Sequence, residues 1–225
     1  MAVFGIADLH LHTQIPEKDM SVFGPLWKNH EEKLRENWEK TVGPGDVVLI
    51  PGDISWAMKL KDAEADLDFV SSLPGTKIMV RGNHELWWHR KQTERLRKSL
   101  PADMILLQGN AVNIGGFWFA GTRGWRHEEK TRNSDPRIWQ RELDYLEAGI
   151  NAMGEGKKIV LMHYPPYDDD MKHNDFARLL WRSGVDMVVY GHIHGGEFLE
   201  GNINGVEYRF VAADRLGFAP LRLYD

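Results

Sequence analysis

The residues best equipped for chemistry come early. Asp8-Leu9-His10-Leu11-His12 places one carboxylate and two imidazoles at alternate positions, directly after an apolar run. Ionised carboxylates and neutral imidazoles are ligands for divalent metals. Two pairings are open: His10 with His12 as H-x-H, or Asp8 with His10 as D-x-H. The two belong to different kinds of metal-dependent hydrolase, and the rest of the chain must choose. Four further segments carry similar residues: Pro51-Gly52-Asp53, Arg81-Gly82-Asn83-His84-Glu85, His163-Tyr164-Pro165-Pro166 and Gly191-His192-Ile193-His194. With no cysteine, thiolate ligands and disulfides are excluded, so any transition-metal site must use His, Asp, Glu or Asn.

Elements must bring these segments together. Short apolar, β-branched runs predict strands at Val3–Ala7, Val47–Ile50, Lys77–Val80, Met104–Leu107, Ala111–Ile114, Phe117–Ala120, Ile159–Met162, Met187–Tyr190 and Val206–Ala212. Helical spacing predicts helices over Lys28–Lys40, Lys61–Leu73, Glu85–Leu100, Ile138–Ile150 and Phe176–Trp181. In the Glu85–Leu100 helix, Leu86, Leu96 and Leu100 are available for burial. Alternating strands and helices point to βαβ units. The consecutive strands between Met104 and Thr122, and a strand-rich tail, point to a mixed sheet or two packed sheets with helices outside. No repeat or linker is visible, so one domain over residues 1–225 is expected. Five predicted strands run directly into Asp8, Asp53, Asn83, His163 and His192, and ligands of α/β sheets bind beyond the carboxyl ends of strands. Taken singly, Asp53 reads as a turn residue, Asn83 as a helix cap, and either histidine as structural. Together, delivered to one edge, they are what a metal centre on such a sheet requires.

DLH, GD, GNHE, a lone His before Pro-Pro, and GHIH, in this order from Asp8 to His194, resemble the five blocks of the calcineurin-like metallophosphoesterases. The competing family, the polymerase-and-histidinol-phosphatase group, opens similarly but would be expected to end in D-x-H. The resemblance implies a four-layer α/β/β/α sandwich with two mixed central sheets. It implies two divalent transition-metal ions, Mn, Fe, Zn or Ni. Asp8, His10, Asp53 and His194 would hold one, and Asp53, Asn83, His163 and His192 the other, with Asp53 bridging. Two carboxylates against two dications leave the site net positive, which suits a phosphate. Such ions, roughly 3.5–4 Å apart, clamp phosphoryl oxygens, and a hydroxide between them attacks phosphorus. His84, beside the scissile phosphate, would bind an oxygen or protonate the leaving group, so that His84 and Asp53 are the catalytic pair. A helix starting at Glu85 would add its N-terminal dipole to anion binding.

Other residues admit two readings. His12 has no place among these ligands and is a strand-end polar residue or a substrate contact. Trp56 is expected in the pocket wall; Trp87 and Trp88 serve wall or core. The basic run Arg123, Arg126, Lys130, Arg132, Arg137 and Arg141 is either a substrate grip or a solvated face paired with Glu128, Glu129 and Asp135. Asp168–Asp170 read as a solvated turn. The phosphoprotein phosphatases extend GD to G-D-x-x-D-R-G. Here Trp56 and Ala57 stand in place of that Asp and Arg, so a protein-phosphatase activity is not implied. A smaller phosphoesterase is, acting on phosphodiesters or phosphomonoesters.

The net charge of −5 and pI near 6.1 argue against bulk binding of nucleic acid or anionic membrane. A family nuclease would also want a basic groove and a larger chain. A non-catalytic scaffold on the same fold would not need His84. The expected partner is therefore a small phosphorylated substrate. No signal peptide or apolar run of the ~20 residues a bilayer span needs is visible, and a cytoplasmic location is expected. The D-x-H reading makes an asymmetric prediction. His10→Ala should lose bound metal and activity, whereas His12→Ala should keep its metal, as measured by metal analysis of the purified variants; loss of metal from His12→Ala would restore the H-x-H reading.

Overall fold

The computed structural model describes residues 1–126 and 135–225. Chain order is β1 (Val3–Gly5), α1 (His30–Thr41), β2 (Val47–Ile50), α2 (Leu60–Ser72), β3 (Thr76–Met79), α3 (Thr93–Ser99), β4 (Met104–Leu106), β5 (Ala111–Ile114), β6 (Phe117–Thr122), α4 (Pro136–Asn151), β7 (Lys157–Met162), α5 (Asp175–Arg182), β8 (Met187–Tyr190), β9 (Gly201–Ile203), β10 (Val206–Phe210) and β11 (Leu221–Tyr224). Three short 3-10 turns fill Pro16–Trp27, and a fourth, Arg90–Gln92, leads into α3.

The strands form two mixed sheets, ordered β11-β1-β2-β3-β4 and β5-β6-β7-β8-β10-β9. Only the outer pairs β1–β11, β5–β6 and β9–β10 are antiparallel. Because side chains alternate along a strand, each sheet buries two faces in different places. Val47 and Leu49 of β2, and Ile159 and Leu161 of β7, meet in a core between the sheets. Val48 and Ile50 pack outward against α1 and α2 through Leu34, Trp38, Leu67 and Val70. Val160 and Met162 pack outward against α4 and α5 through Leu146, Ile150, Phe176 and Leu180. Three apolar layers between four layers of structure make the α/β/β/α sandwich. The near-continuous apolar runs of the central strands follow from burial on both faces.

The expected helix over Glu85–Leu100 forms only from Thr93. Glu85 is drawn inward, where its carboxylate accepts backbone N–H groups of Gly82, Asp53, Ile54 and Ser55. That pull holds residues 84–88 in turns, with Leu86 N–H donating to the His84 carbonyl and Trp88 N–H to that of Glu85. Trp87 and Trp88 are buried in the α1/α2 core, and Leu86 is exposed. The helix expected to begin at Glu85 therefore does not present its N-terminus to Asn83 and His84. The tail contributes β11, an unanticipated edge strand beside β1.

Lys77 is wholly buried, an unusual place for an ammonium group. Its Nζ donates to the carbonyls of Leu73 and Gly75, both at 2.9 Å, and to Asp103 Oδ2 at 2.6 Å. The otherwise unpaired carbonyls beyond the end of α2 are thereby satisfied. Lys77→Met should cost about 2–3 kcal/mol in urea unfolding, the penalty for stranding buried acceptors.

Candidate metal centre

The site lies at the carboxyl ends of strands from both sheets. The loop after β1 runs alongside the loop after β2: Asp8 N–H donates to the Gly52 carbonyl, His10 N–H to that of Asp53 and Leu11 N–H to that of Ile54. This pairing aims Asp8, His10 and Asp53 at the gap between the sheets. It also holds them in left-handed backbone, with φ of +59°, +48° and +53°; His192 has +75°. Such conformations are costly for residues with a Cβ and concentrate at functional sites. Close approach adds a second constraint. A Cβ on Gly82 would lie 2.1 Å from Asp53 Oδ1, and one on Gly191 would lie 2.3 Å from Asp8 Oδ2. Only glycine lets these loops close on the carboxylates.

Two ligand-like clusters result, Asp8–His10–His194 and Asp53–His163–His192, each with its candidate ligand atoms within 4.8 Å of one another. Asp53 lies between them: its Oδ2 is 3.5 Å from His163 Nε2 and 3.9 Å from His10 Nε2. Asn83 Oδ1 reaches His163 Nε2 at 2.6 Å, and His192 Nδ1 reaches it at 3.1 Å. His163 Nδ1 faces the Pro51 carbonyl at 3.0 Å, so the proton belongs there and Nε2 presents a lone pair. That lone pair then confronts an amide oxygen and a carboxylate, which are also acceptors. Acceptors converging on acceptors call for a cation. The Asp8–His10–His194 cluster has the same character: His10 Nε2 and His194 Nε2 are 3.1 Å apart, and Asp8 Oδ1 and His10 Nδ1 are buried without a hydrogen-bond partner.

The chain matches the calcineurin-like phosphoesterase family over residues 1–196. It belongs to the calcineurin-like phosphoesterase family. Among curated relatives, it is 37% identical over 198 residues to the Gene 66 protein of Mycobacterium phage D29, covering 85% of this chain and 78% of that one. It is 24% identical over 166 residues to purple acid phosphatase 21 of Arabidopsis thaliana, covering 66% of this chain and 38% of that one. Among solved structures, the phosphopantetheinyl hydrolase of Mycobacterium tuberculosis superposes with a TM-score of 0.60 at 13% identity, covering 99% of this chain and 95% of the other. A protein of unknown function from Aquifex aeolicus does so at 0.52 and 18%, covering 98% and 95%. At these identities the structures share the fold. The family and the His/Asp clusters together mark a site suited to divalent metal ions.

The electrostatics of the site agree. Burial pushes the Asp8 carboxyl up to about 7, against the opposing pull of His194. Burial, then the neighbouring carboxylates of Glu85 and Asp8, raise Asp53 well above its ordinary range. Burial, and then other histidines, pull His10 and His163 far below the usual imidazole value. His192 falls to about 3 through burial, Arg126 and His194. Imidazoles kept neutral beside carboxylates that resist ionising form a donor set short of positive charge, and a bound cation reverses that logic.

Two residues unassigned from the sequence hold this set. Glu85 ties the GD loop to the GNHE loop. Asp214 Oδ2 lies 3.4 Å from His194 Nδ1. Burial pulls the His194 imidazole down, but the Asp214 hydrogen bond and the Asp8 and Asp214 carboxylates together lift it above the usual value. Asp214 thus turns His194 so that Nε2 faces His10. It could have been found by the rule that found the others, since the predicted strand Val206–Ala212 runs straight into Ala213-Asp214.

His84 Nε2 is 3.9 Å from Asp53 Oδ2, and its backbone N–H donates to Asp53 Oδ1 at 2.9 Å. Its ring packs on Trp56 with centroids 3.9 Å apart. The tryptophan that replaces an acidic residue of the protein phosphatases therefore orients His84 by packing. His12 lies apart, its Nδ1 3.4 Å from Glu31 Oε1 and its ring stacked on His30. His12, His30 and Glu31 form a third cluster, but both His30 nitrogens already face carbonyls, of Trp27 and Leu9, at 3.1 Å. Arg123 stacks on Trp125 and lies 3.9 Å from the buried Glu142, which Arg81 and Arg141 also approach. Arg126 pairs with Asp169 in a cavity of about 400 Å³ that includes His192 and His194. Asp135 caps α4 by accepting the Arg137 N–H, and the Arg137 guanidinium also donates to it, while Glu128, Glu129, Lys130 and Arg132 lie outside the described residues. Asp214→Ala should weaken metal binding at the His194 cluster by roughly 10–100-fold and spare the other, as titration calorimetry with Mn²⁺ would resolve.

Proposed function

We propose that this chain is a dinuclear metal-dependent phosphoesterase whose substrate is a small phosphorylated molecule. The observation that carries the reading is the position of Asp53, whose one carboxylate oxygen faces both histidine clusters. Asp8, His10 and His194 with Asp53 would hold one divalent ion; Asp53, Asn83, His163 and His192 would hold the other. Two such ions would supply the charge that neutralises a phosphoryl group and makes water acidic enough to attack it.

The side chains do the remainder. The neutral imidazoles of His10, His163 and His192 offer lone pairs without a proton to displace, which favours loading near neutral pH. His84 lies in the wall of the main cavity with His10 and His194, and about a third of its side chain is open to solvent. Held by Trp56 and by the Asp53 carboxylate, it is placed to grip a phosphoryl oxygen or to hand a proton to the departing one. The Trp56 ring also stacks on His10, with centroids 5.1 Å apart. Ala57, buried where the protein phosphatases carry arginine, leaves no guanidinium there. These features favour a small ester over a phosphoprotein, whether monoester or diester.

Metal analysis joined to kinetics on 4-nitrophenyl phosphate and bis(4-nitrophenyl) phosphate tests the proposal. Two metal equivalents per chain are expected, with turnover abolished by chelation and restored by Mn²⁺. His84→Ala should lower kcat by roughly 10²–10⁴-fold while retaining the metals. Turnover that ignores chelation, or survives Asp53→Asn intact, would sink the mechanism.

A further inference from the structure

A phosphate group fills a small part of the space beside His84. The cavity there measures about 1250 Å³, and its walls include His10, His84 and His194. Sites for drug-sized ligands run roughly 300–1,000 Å³. One wall comes from the 3-10 turns after the first motif, with Phe23, Leu26 and Trp27; the other carries Phe198 and Leu216, and Trp56 lies beside His84. Charged side chains also reach this cavity, but each is engaged. Asp214 holds His194, Arg209 pairs with Glu207 at 2.9 Å, Arg215 stacks on Phe198, and Glu200 accepts the Phe210 N–H. Apolar side chains make up most of the lining that remains for a ligand.

The rim repeats the message. Phe23 is 67% exposed and Leu26 47%, and with Val22 they make three of the six large apolar side chains left to solvent among the described residues. Such clustering marks a binding surface. The cavity on the other flank of His194 is different, smaller and bordered by Arg126, Asp168 and Asp169. The centre thus has an apolar flank on the His84 side and a polar flank on the His192 side.

We infer that the substrate is a phosphoester bearing a large apolar organic group, a long alkyl or fused aromatic body, seated between Phe23, Leu26 and Trp27 on one wall and Phe198 and Leu216 on the other. The inference rests on the phosphoesterase reading and deepens it. Apolar burial contributes about 0.8 kcal/mol per methylene, or roughly fourfold in affinity at full burial. Six methylenes, even incompletely buried, should give on the order of 10²-fold.

The test uses the Mn²⁺-loaded full chain and n-alkylphosphonates from ethyl to octyl. These carry a phosphoryl anion and an apolar arm but no ester bond. They are assayed as inhibitors of whichever 4-nitrophenyl ester is turned over. Ki should fall by about 10²-fold from ethyl to octyl. In the double variant Phe23→Ser with Leu26→Ser, whose side chains lie at the exposed rim, the ethyl-to-octyl ratio of Ki should shrink by about tenfold. A Ki independent of chain length, or a ratio untouched by the double variant, overturns the inference while leaving the phosphoesterase standing. Absence of turnover for every ester overturns the phosphoesterase reading itself.

Discussion

Two carboxylates, Asp8 and Asp53, are held out of water with imidazole nitrogens and an amide oxygen turned toward them, and the surrounding structure accommodates that arrangement. Each accepts a backbone N–H, Asp8 from His192 and Asp53 from His84, which is less than a buried charge normally requires. Their acidity is raised mainly by burial, and the basicity of His10, His163 and His192 is lowered by the same cause. Protons can relieve this only in part, because His163 Nε2 meets acceptors on several sides. Divalent cations would relieve all of it at once. The centre is therefore under-charged by design, with its stabilisation deferred to a ligand.

Holding such a set in place falls to groups one step removed. The Glu85 carboxylate gathers backbone N–H groups from two motif loops. The Pro51 carbonyl and the Asp214 carboxylate turn His163 and His194 so that their Nε2 atoms point inward. Left-handed backbone at Asp8, His10, Asp53 and His192 is the cost of bending strand ends sharply enough. The two-sheet core makes that cost bearable, since β1, β2, β3, β7 and β8 enter the site from a framework buried on both faces.

The flanks assign the work. On the His84 side, Trp56 performs by packing what a carboxylate would perform by hydrogen bonding, and the cavity beyond is apolar. On the His192 side, Arg126 and the aspartates around it keep the surroundings polar. Glu142 gathers Arg81, Arg123 and Arg141 beside the carboxyl end of β6, where it also accepts the Thr122 hydroxyl, and so ties Arg123 to the framework around the site.

The sequence by itself determined the strand ends and what they carry. Asp8, Asp53, Asn83, His163 and His192 each follow an apolar run, and such runs have little choice but to become central strands. The order of the blocks separated D-x-H from H-x-H without coordinates, and the four-layer fold followed from the family they resemble. The helix expected after Asn83 was misread because periodicity registers Leu86, Leu96 and Leu100 but not the pull of four N–H groups on Glu85. Asp214 escaped notice because it lies beyond the motif blocks, although a strand also leads into it. Only the tertiary structure decided that Asp53 faces both clusters, that Trp56 orients His84, and that one flank is apolar. Each of these depends on residues distant in the chain meeting across two sheets, and local patterning carries no record of which loops those sheets bring together.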